Sequence, residues 1–126
     1  MTCDASKIDP EQAVAMLSQT YWAQGRDLPK MKRIMGNSLN CGLLDREGGL
    51  VGYLRVVTDY ETMFYLADVV VAPALRGHGL GKAMVGYILD DERLRGLRGI
   101  LLSRYAQGLY EKFGFARQGE RVMMRE

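Results

Sequence analysis

The residues best suited to chemistry lie between Asp68 and Lys82. Val69, Val70 and Val71 form an uncharged β-branched run, the composition of a buried strand. Pro73 ends that run, because it has no N–H for a ladder and biases Ala72 toward extended backbone. Gly77, Gly79 and Gly81 then fall at alternate positions, directly before an amphipathic pattern that starts at Leu80. A glycine loop opening into a helix N-terminus presents free N–H groups and the positive end of the helix dipole, so it suits an anion such as phosphate. A second stretch, Tyr21-Trp22-Ala23-Gln24-Gly25-Arg26, sets two aromatics beside one cation at the expected end of a helix. Those residues suit either an aromatic wall for a polar substrate, or core packing with Arg26 capping helix carbonyls.

The loop is not a dinucleotide fingerprint, because Lys82 stands where the third glycine belongs. Nor is it a Walker A loop, since Arg76 replaces its first glycine and Ala83 its Ser or Thr. Val-x-Pro-x-x-Arg-Gly-x-Gly-x-Gly instead resembles the acyl-CoA signature of the GNAT superfamily of N-acetyltransferases. Leu109-Tyr110-Glu111-Lys112-Phe113-Gly114-Phe115 resembles that family's second signature, Leu-Tyr-x-x-x-Gly-Phe in the last helix. Tyr-Trp-Ala-x-x-Arg, Arg55 to Asp59 and Tyr65 to Asp68 are similar to a subgroup of small bacterial members. The resemblance runs from about Ala13 to Met124. One departure stands out: the subgroup's Thr-x-Asp-Ala-His-Gly-Leu-Tyr is Ser103-Arg104-Tyr105-Ala106-Gln107-Gly108-Leu109-Tyr110 here.

The resemblance implies an acetyl-CoA-dependent N-acetyltransferase that acts on a primary amine of a small molecule or peptide by direct transfer. It assigns backbone N–H groups of Gly77, His78, Gly79, Leu80, Gly81 and Lys82 to the pyrophosphate, with Arg76 and Lys82 adding charge. It assigns backbone groups of Val69 and Val71 to the pantetheine arm, a strand addition almost independent of side-chain identity. Tyr110 becomes the general acid, since a phenol near pKa 10 and a thiol near 8.5 are close to balanced. Asp68 is either the group that orients the acceptor amine or a structural acid inside the sheet. Tyr21, Trp22, Arg26 and Asp59 fall on the acceptor side. His78 lies too far along the cofactor to be the base. The rival function is a non-catalytic acyl-CoA-binding domain that acts through a partner protein.

The elements that must position these groups are readable from periodicity. Asp9, Pro10 and Gln12 predict a helix start with a capping box, followed by an apolar stripe of Ala13, Leu17 and Tyr21 and a stop near Gly25. Pro29 opens a second helix with Met31, Ile34 and Met35 on one face. Leu39 to Leu43, Leu50 to Val57 and Met63 to Val71, joined by short turns, predict an antiparallel meander. A helix over 79–91 should bury Leu80, Met84, Tyr87 and Ile88. Gly99 to Ser103 should form a strand parallel to the central one. A last helix carries Ala106, Leu109, Tyr110 and Phe113, with a closing hairpin from Phe115–Arg117 and Val122–Met124. With only about eight residues before the first helix, the usual first strand must be short or missing. The expected fold is thus α/β, a GNAT-type three-layer α/β/α arrangement around a mixed, splayed sheet.

Bulk properties bound the rest. A chain of 126 residues suits a single domain over 1–126, and 48% hydrophobic with 25% charged residues is ordinary for a globular protein. A net charge of +2 is too small to argue for nucleic acid. Cys3 and Cys41 suggest neither a metal motif nor a disulfide framework. No basic apolar leader or membrane-length run is visible, so a cytoplasmic protein without a membrane or metal is expected. Nothing in the chain opposes assembly as a homodimer.

Overall fold

A computed structural model describes residues 1–126. The chain forms helix α1 (Pro10–Leu17), α2 (Leu28–Gly36), strands β1 (Leu39–Leu44), β2 (Leu50–Thr58) and β3 (Met63–Val71), helix α3 (Leu80–Leu89), strand β4 (Arg98–Ile100) and helix α4 (Gln107–Glu111). The four strands make one sheet in the order β1-β2-β3-β4. The first three pair antiparallel, and β4 runs parallel to β3. Alternation along β2 sends Leu54 and Val56 to one face and Tyr53 to the other. The first face packs Phe64 and Leu66 against Met84, Val85 and Ile88 of α3 and Tyr110 of α4. The second packs Tyr53 and Val70 against Ala13 and Leu17 of α1 and Met31 and Met35 of α2. Two apolar clusters on either side of one mixed sheet give the expected three-layer α/β/α architecture. The first strand is reduced to a single bridge between Thr2 and Gly42.

Several expectations change on folding. Asp9 caps α1, accepting from the Glu11 N–H at 2.9 Å, but Gln12 closes no capping box; its Oε1 accepts from the Leu50 N–H at 2.7 Å. The helix stops at Leu17 and not near Gly25, because Thr20 captures local backbone groups. Its Oγ1 donates to the Leu17 carbonyl at 2.7 Å and accepts from the Ala23 N–H at 3.1 Å. The helical stripe therefore breaks before Tyr21, which is exposed rather than buried. In α3, Val85 is buried in place of Tyr87, which lies well round the helix from the Met84–Ile88 face and is exposed.

The fourth strand has three residues, and Leu101 to Ser103 leave the ladder. The reason lies in β3. Register shifts between Tyr53 and Arg55, where Tyr53 faces Val70 but Arg55 faces Ala67. This bulge bends and twists β3, taking its last residues out of reach of β4. The hairpin expected at the end of the chain is absent, and Val122, Met123 and Met124 are exposed. A two-stranded ribbon without a third strand or an apolar layer to cover is marginal in water. The cysteines also depart from expectation. The Thr2–Gly42 bridge sets Cys3 beside Cys41, and their Sγ atoms form a disulfide that closes a sequence separation of 38.

Candidate active site

The bulge in β3 builds the centre of the site. Asp68 takes a left-handed backbone with φ of 56°, a conformation that aspartate tolerates better than most side chains. The bulge also shifts the alternation. Leu66, Val69 and Val71 all pack toward α3, so Asp68 and Val70 turn to the α1–α2 side. Asp68 therefore does point away from Val69 and Val71, as simple alternation predicted.

On that side Asp68 is held by three donors. Its Oδ1 accepts from Trp22 Nε1 at 3.1 Å, and its Oδ2 accepts from Arg26 at 2.6 Å and from Arg55 Nε at 2.5 Å. The Asp68 side chain is 1% exposed and each arginine side chain 16%. An ion cluster this buried persists only when every member is paired. The geometry thus favours the structural side of the two roles that sequence left open for Asp68. It anchors the loop after α1 to the bulge rather than standing free as a base. Arg26 ties down that loop and caps no helix carbonyl, while Trp22 uses its indole N–H as a strut. Neighbouring Tyr53 donates to Asn40 Oδ1 at 2.6 Å, and burial followed by the Asp68 charge pushes its phenol far above the ordinary range.

Anchoring that loop opens a cleft of about 280 Å³ whose walls include Thr20, Tyr21, Trp22, Val69, Val71 and Arg76. Tyr21 and Trp22 meet edge-to-face at 5.1 Å between ring centres, and Tyr105 meets Tyr21 the same way at 5.6 Å. Tyr21 and Trp22 thus line an opening, whereas the alternative was core packing. Asp59 is elsewhere. It sits in the β2–β3 turn, five residues before the bulge plus the turn itself, roughly 16 Å or more away at strand spacing. Its carboxylate accepts from Glu61, Thr62 and the Thr62 hydroxyl, which hold its pKa well below the usual range. Asp59 is a turn cap, and its placement on the acceptor side is corrected. A larger open groove of about 700 Å³, lined by Tyr60, Arg93 and Arg95 among others, lies at that distant end.

The cofactor side fits its group. The Ala72 N–H donates to the Val51 carbonyl at 2.8 Å. By strand alternation the N–H and C=O groups of Val69 and Val71 therefore point away from β2, into the space that β4 has left. Arg76 folds back here, its Nε donating to the Val71 carbonyl at 3.1 Å. The loop that follows has left-handed Gly77 and Gly79, with φ of 84° and 76°, and a Cβ at either would meet no atom. These turns aim the N–H groups of Gly77, His78, Gly79, Leu80, Gly81 and Lys82 outward, and none makes a hydrogen bond within the protein. Six unpartnered N–H groups at the start of a ten-residue helix, flanked by Arg76 and Lys82, suit a pyrophosphate.

Tyr110 closes the arrangement. Its ring is buried against Phe115, with 6.2 Å between centres, but its hydroxyl makes no hydrogen bond. No fully buried side-chain polar atom lacks a partner, so this hydroxyl reaches open space. Desolvation, with a smaller contribution from Tyr21, raises its pKa above that of a free phenol. Sequence reasoning assigned no role to Arg55, the second cation on Asp68. Its place in a strand with apolar neighbours on both sides was the available signal.

Comparisons with known proteins bear on the family and the fold. Residues 11–115 match the family model of the acetyltransferase (GNAT) family. A crystal structure from Xanthomonas campestris pv. campestris, assigned to the GNAT family, is 35% identical with a TM-score of 0.91, covering 99% of this chain and 90% of that one. Glucosamine-6-phosphate N-acetyltransferase from Arabidopsis thaliana shares the fold at 18% identity and a TM-score of 0.68, over 94% of this chain and 93% of that one. Glucosamine 6-phosphate N-acetyltransferase of Trypanosoma brucei brucei is 41% identical over 61 residues, which is 47% of this chain and 41% of that relative's length.

Proposed function

From the premise that the chain belongs to the acetyltransferase (GNAT) family and is an acyltransferase, we propose that it carries the acetyl group of acetyl-CoA to a primary amine of a small molecule or peptide by direct transfer. What supports this reading is that three features the reaction needs are all left without partners in the protein. These are the free N–H groups of residues 77–82, the outward backbone N–H groups of Val69 and Val71, and the unbonded Tyr110 hydroxyl. Acetyl-CoA, when bound, supplies an activated thioester.

The chain's own residues then have separate tasks. Gly77 to Lys82 bind pyrophosphate, and Arg76 and Lys82 neutralise it. Val69 and Val71 hold the pantetheine arm as an added strand, and an N–H there polarises the acyl carbonyl. Tyr110 holds a proton at its Oη for a leaving thiolate, and burial raises that phenol's pKa further above neutral. Tyr21 and Trp22 wall the acceptor cleft, held in place through Arg26 and Asp68. With Asp68 engaged by three donors, the acceptor amine enters neutral or loses its proton to water. That lack of a free carboxylate is also the one feature favouring a non-catalytic acyl-CoA-binding domain that acts through a partner protein. The relatives named for glucosamine 6-phosphate make amino sugars a reasonable first class of acceptor to try.

Release of free thiol from acetyl-CoA, measured with a panel of amino sugars, polyamines and peptide amines, tests the reading. Turnover with an amine in the panel supports the enzyme. Tight acetyl-CoA binding without turnover on any amine would favour the sensor.

A further inference from the structure

Arg104 has no partner in the protein. Of the other arginines near the acceptor cleft, Arg26 and Arg55 are paired with Asp68, and Arg76 is turned toward the cofactor loop with its Nε on the Val71 carbonyl. The four ion pairs of the chain do not include Arg104. Its guanidinium instead lies 5.2 Å over the ring of Tyr21, the residue that lines the cleft. A guanidinium on an aromatic face is oriented by the ring while its N–H edges stay free. The turn that carries it is fixed: the Ala106 N–H donates to Ser103 Oγ, and Gln107 Nε2 donates to the Ser103 carbonyl, both at 3.0 Å. Tyr105 leans on the same Tyr21 ring. The buried cluster beneath adds a further net positive charge, two guanidiniums against one carboxylate. The rim of the cleft is therefore positive, and Arg104 is the guanidinium there that an aromatic face preorients and no carboxylate pairs.

We propose that the acceptor amine carries an oxyanion, phosphate or carboxylate, which Arg104 binds at the rim of the Tyr21–Trp22 cleft. Tyr105 extends the wall on which the body of the acceptor lies. The guanidinium fork matches two oxygens of either anion. This rests on the acetyltransferase reading for its chemistry, but the binding site can be tested without turnover.

The experiment uses amines that differ only in the anion: glucosamine against glucosamine 6-phosphate, and ethanolamine against O-phosphoethanolamine. Wild-type kcat/KM should favour the phosphorylated member. Arg104→Gln should lower it for that member by about tenfold to a hundredfold, the size of a charge-assisted hydrogen-bond pair, and leave the neutral member unchanged. Arg104→Lys should keep part of the preference, and Arg95→Gln, in the distant groove, all of it. Equal loss on both members, or a fall in acetyl-CoA affinity in place of the anion preference, would overturn the proposal. Trp22 is the sole tryptophan, so its fluorescence reports cleft occupancy directly. If no amine is acetylated but Trp22 still responds to the phosphorylated amine and not to the neutral one, and loses that response in Arg104→Gln, the anion site stands and the transferase reading fails. Equal Trp22 responses to both members in the wild type would refute the site itself.

Discussion

Replacing Asp68 by asparagine removes one charge and turns one of two accepting oxygens into a donor, while the size of the side chain is kept. Asparagine has the same shape and is at ease at a φ of 56°, so backbone strain does not enter. What remains is Arg26 and Arg55 facing each other across a site where the Asp68 side chain was 1% exposed. Removing one partner of a buried ion cluster costs about 3–5 kcal/mol. The arginines retain 16% exposure and can turn partly toward water, so the loss should lie near the lower end, about 3 kcal/mol. That is a large part of a typical total of about 5–15 kcal/mol, and corresponds to a Tm drop of about 10 °C for a domain of this size. Urea unfolding followed by circular dichroism measures it, since Trp22 is itself bonded to Asp68 and would confuse a fluorescence signal. Asp68→Asn combined with Arg26→Gln restores a single net charge and should recover at least about 1 kcal/mol of the loss. A single-variant loss below about 1 kcal/mol, or no recovery in the double variant, would show that the cluster does not anchor the bulge.

Four further outcomes are expected. Gly79→Asp places a carboxylate among the N–H groups of residues 77–82, and calorimetry should find acetyl-CoA binding abolished; unchanged affinity would refute the phosphate loop. Tyr110→Phe keeps the ring packed and should reduce turnover by about tenfold to a thousandfold, with acetyl-CoA affinity nearly unchanged, as steady-state kinetics and calorimetry can separate. Tyr53 and Tyr110 both have raised pKa values through burial. Their contribution to stability is thus full below the free-phenol pKa of about 10 and is lost above it, as unfolded tyrosine ionises first. Urea midpoints between pH 8 and 11 should fall at the alkaline end, less steeply in Tyr53→Phe. Finally, reduction of the Cys3–Cys41 disulfide releases a loop with a sequence separation of 38, and should lower stability by at most about 4 kcal/mol in the chain-entropy account, read by urea unfolding with and without reductant.

Elements whose signals are local were legible in the residues alone. The Val69–Val71 run, Pro73 and the alternating glycines specify a strand, its end and a glycine loop with unpartnered N–H groups, through backbone preferences that hold wherever the segment sits. The meander was legible because short polar turns leave consecutive strands no other neighbours, and Tyr110 because the Leu-Tyr-x-x-x-Gly-Phe pattern marks its helix. Tertiary structure decided what depends on distant partners. Helix α1 ends at Leu17 because Thr20 turns back on it, a choice that periodicity through Tyr21 could not foresee. Strand β4 stops at Ile100 because the bulge in β3 carries its neighbour away, and a bulge leaves no mark in an alternating pattern. Above all, the sequence left Asp68 open between an acid that orients an amine and a structural acid, and only the meeting of Trp22, Arg26 and Arg55, from a loop and a different strand, makes it an anchor. A carboxylate's role is set by the charges it faces, and in a folded chain those charges come from far along the sequence.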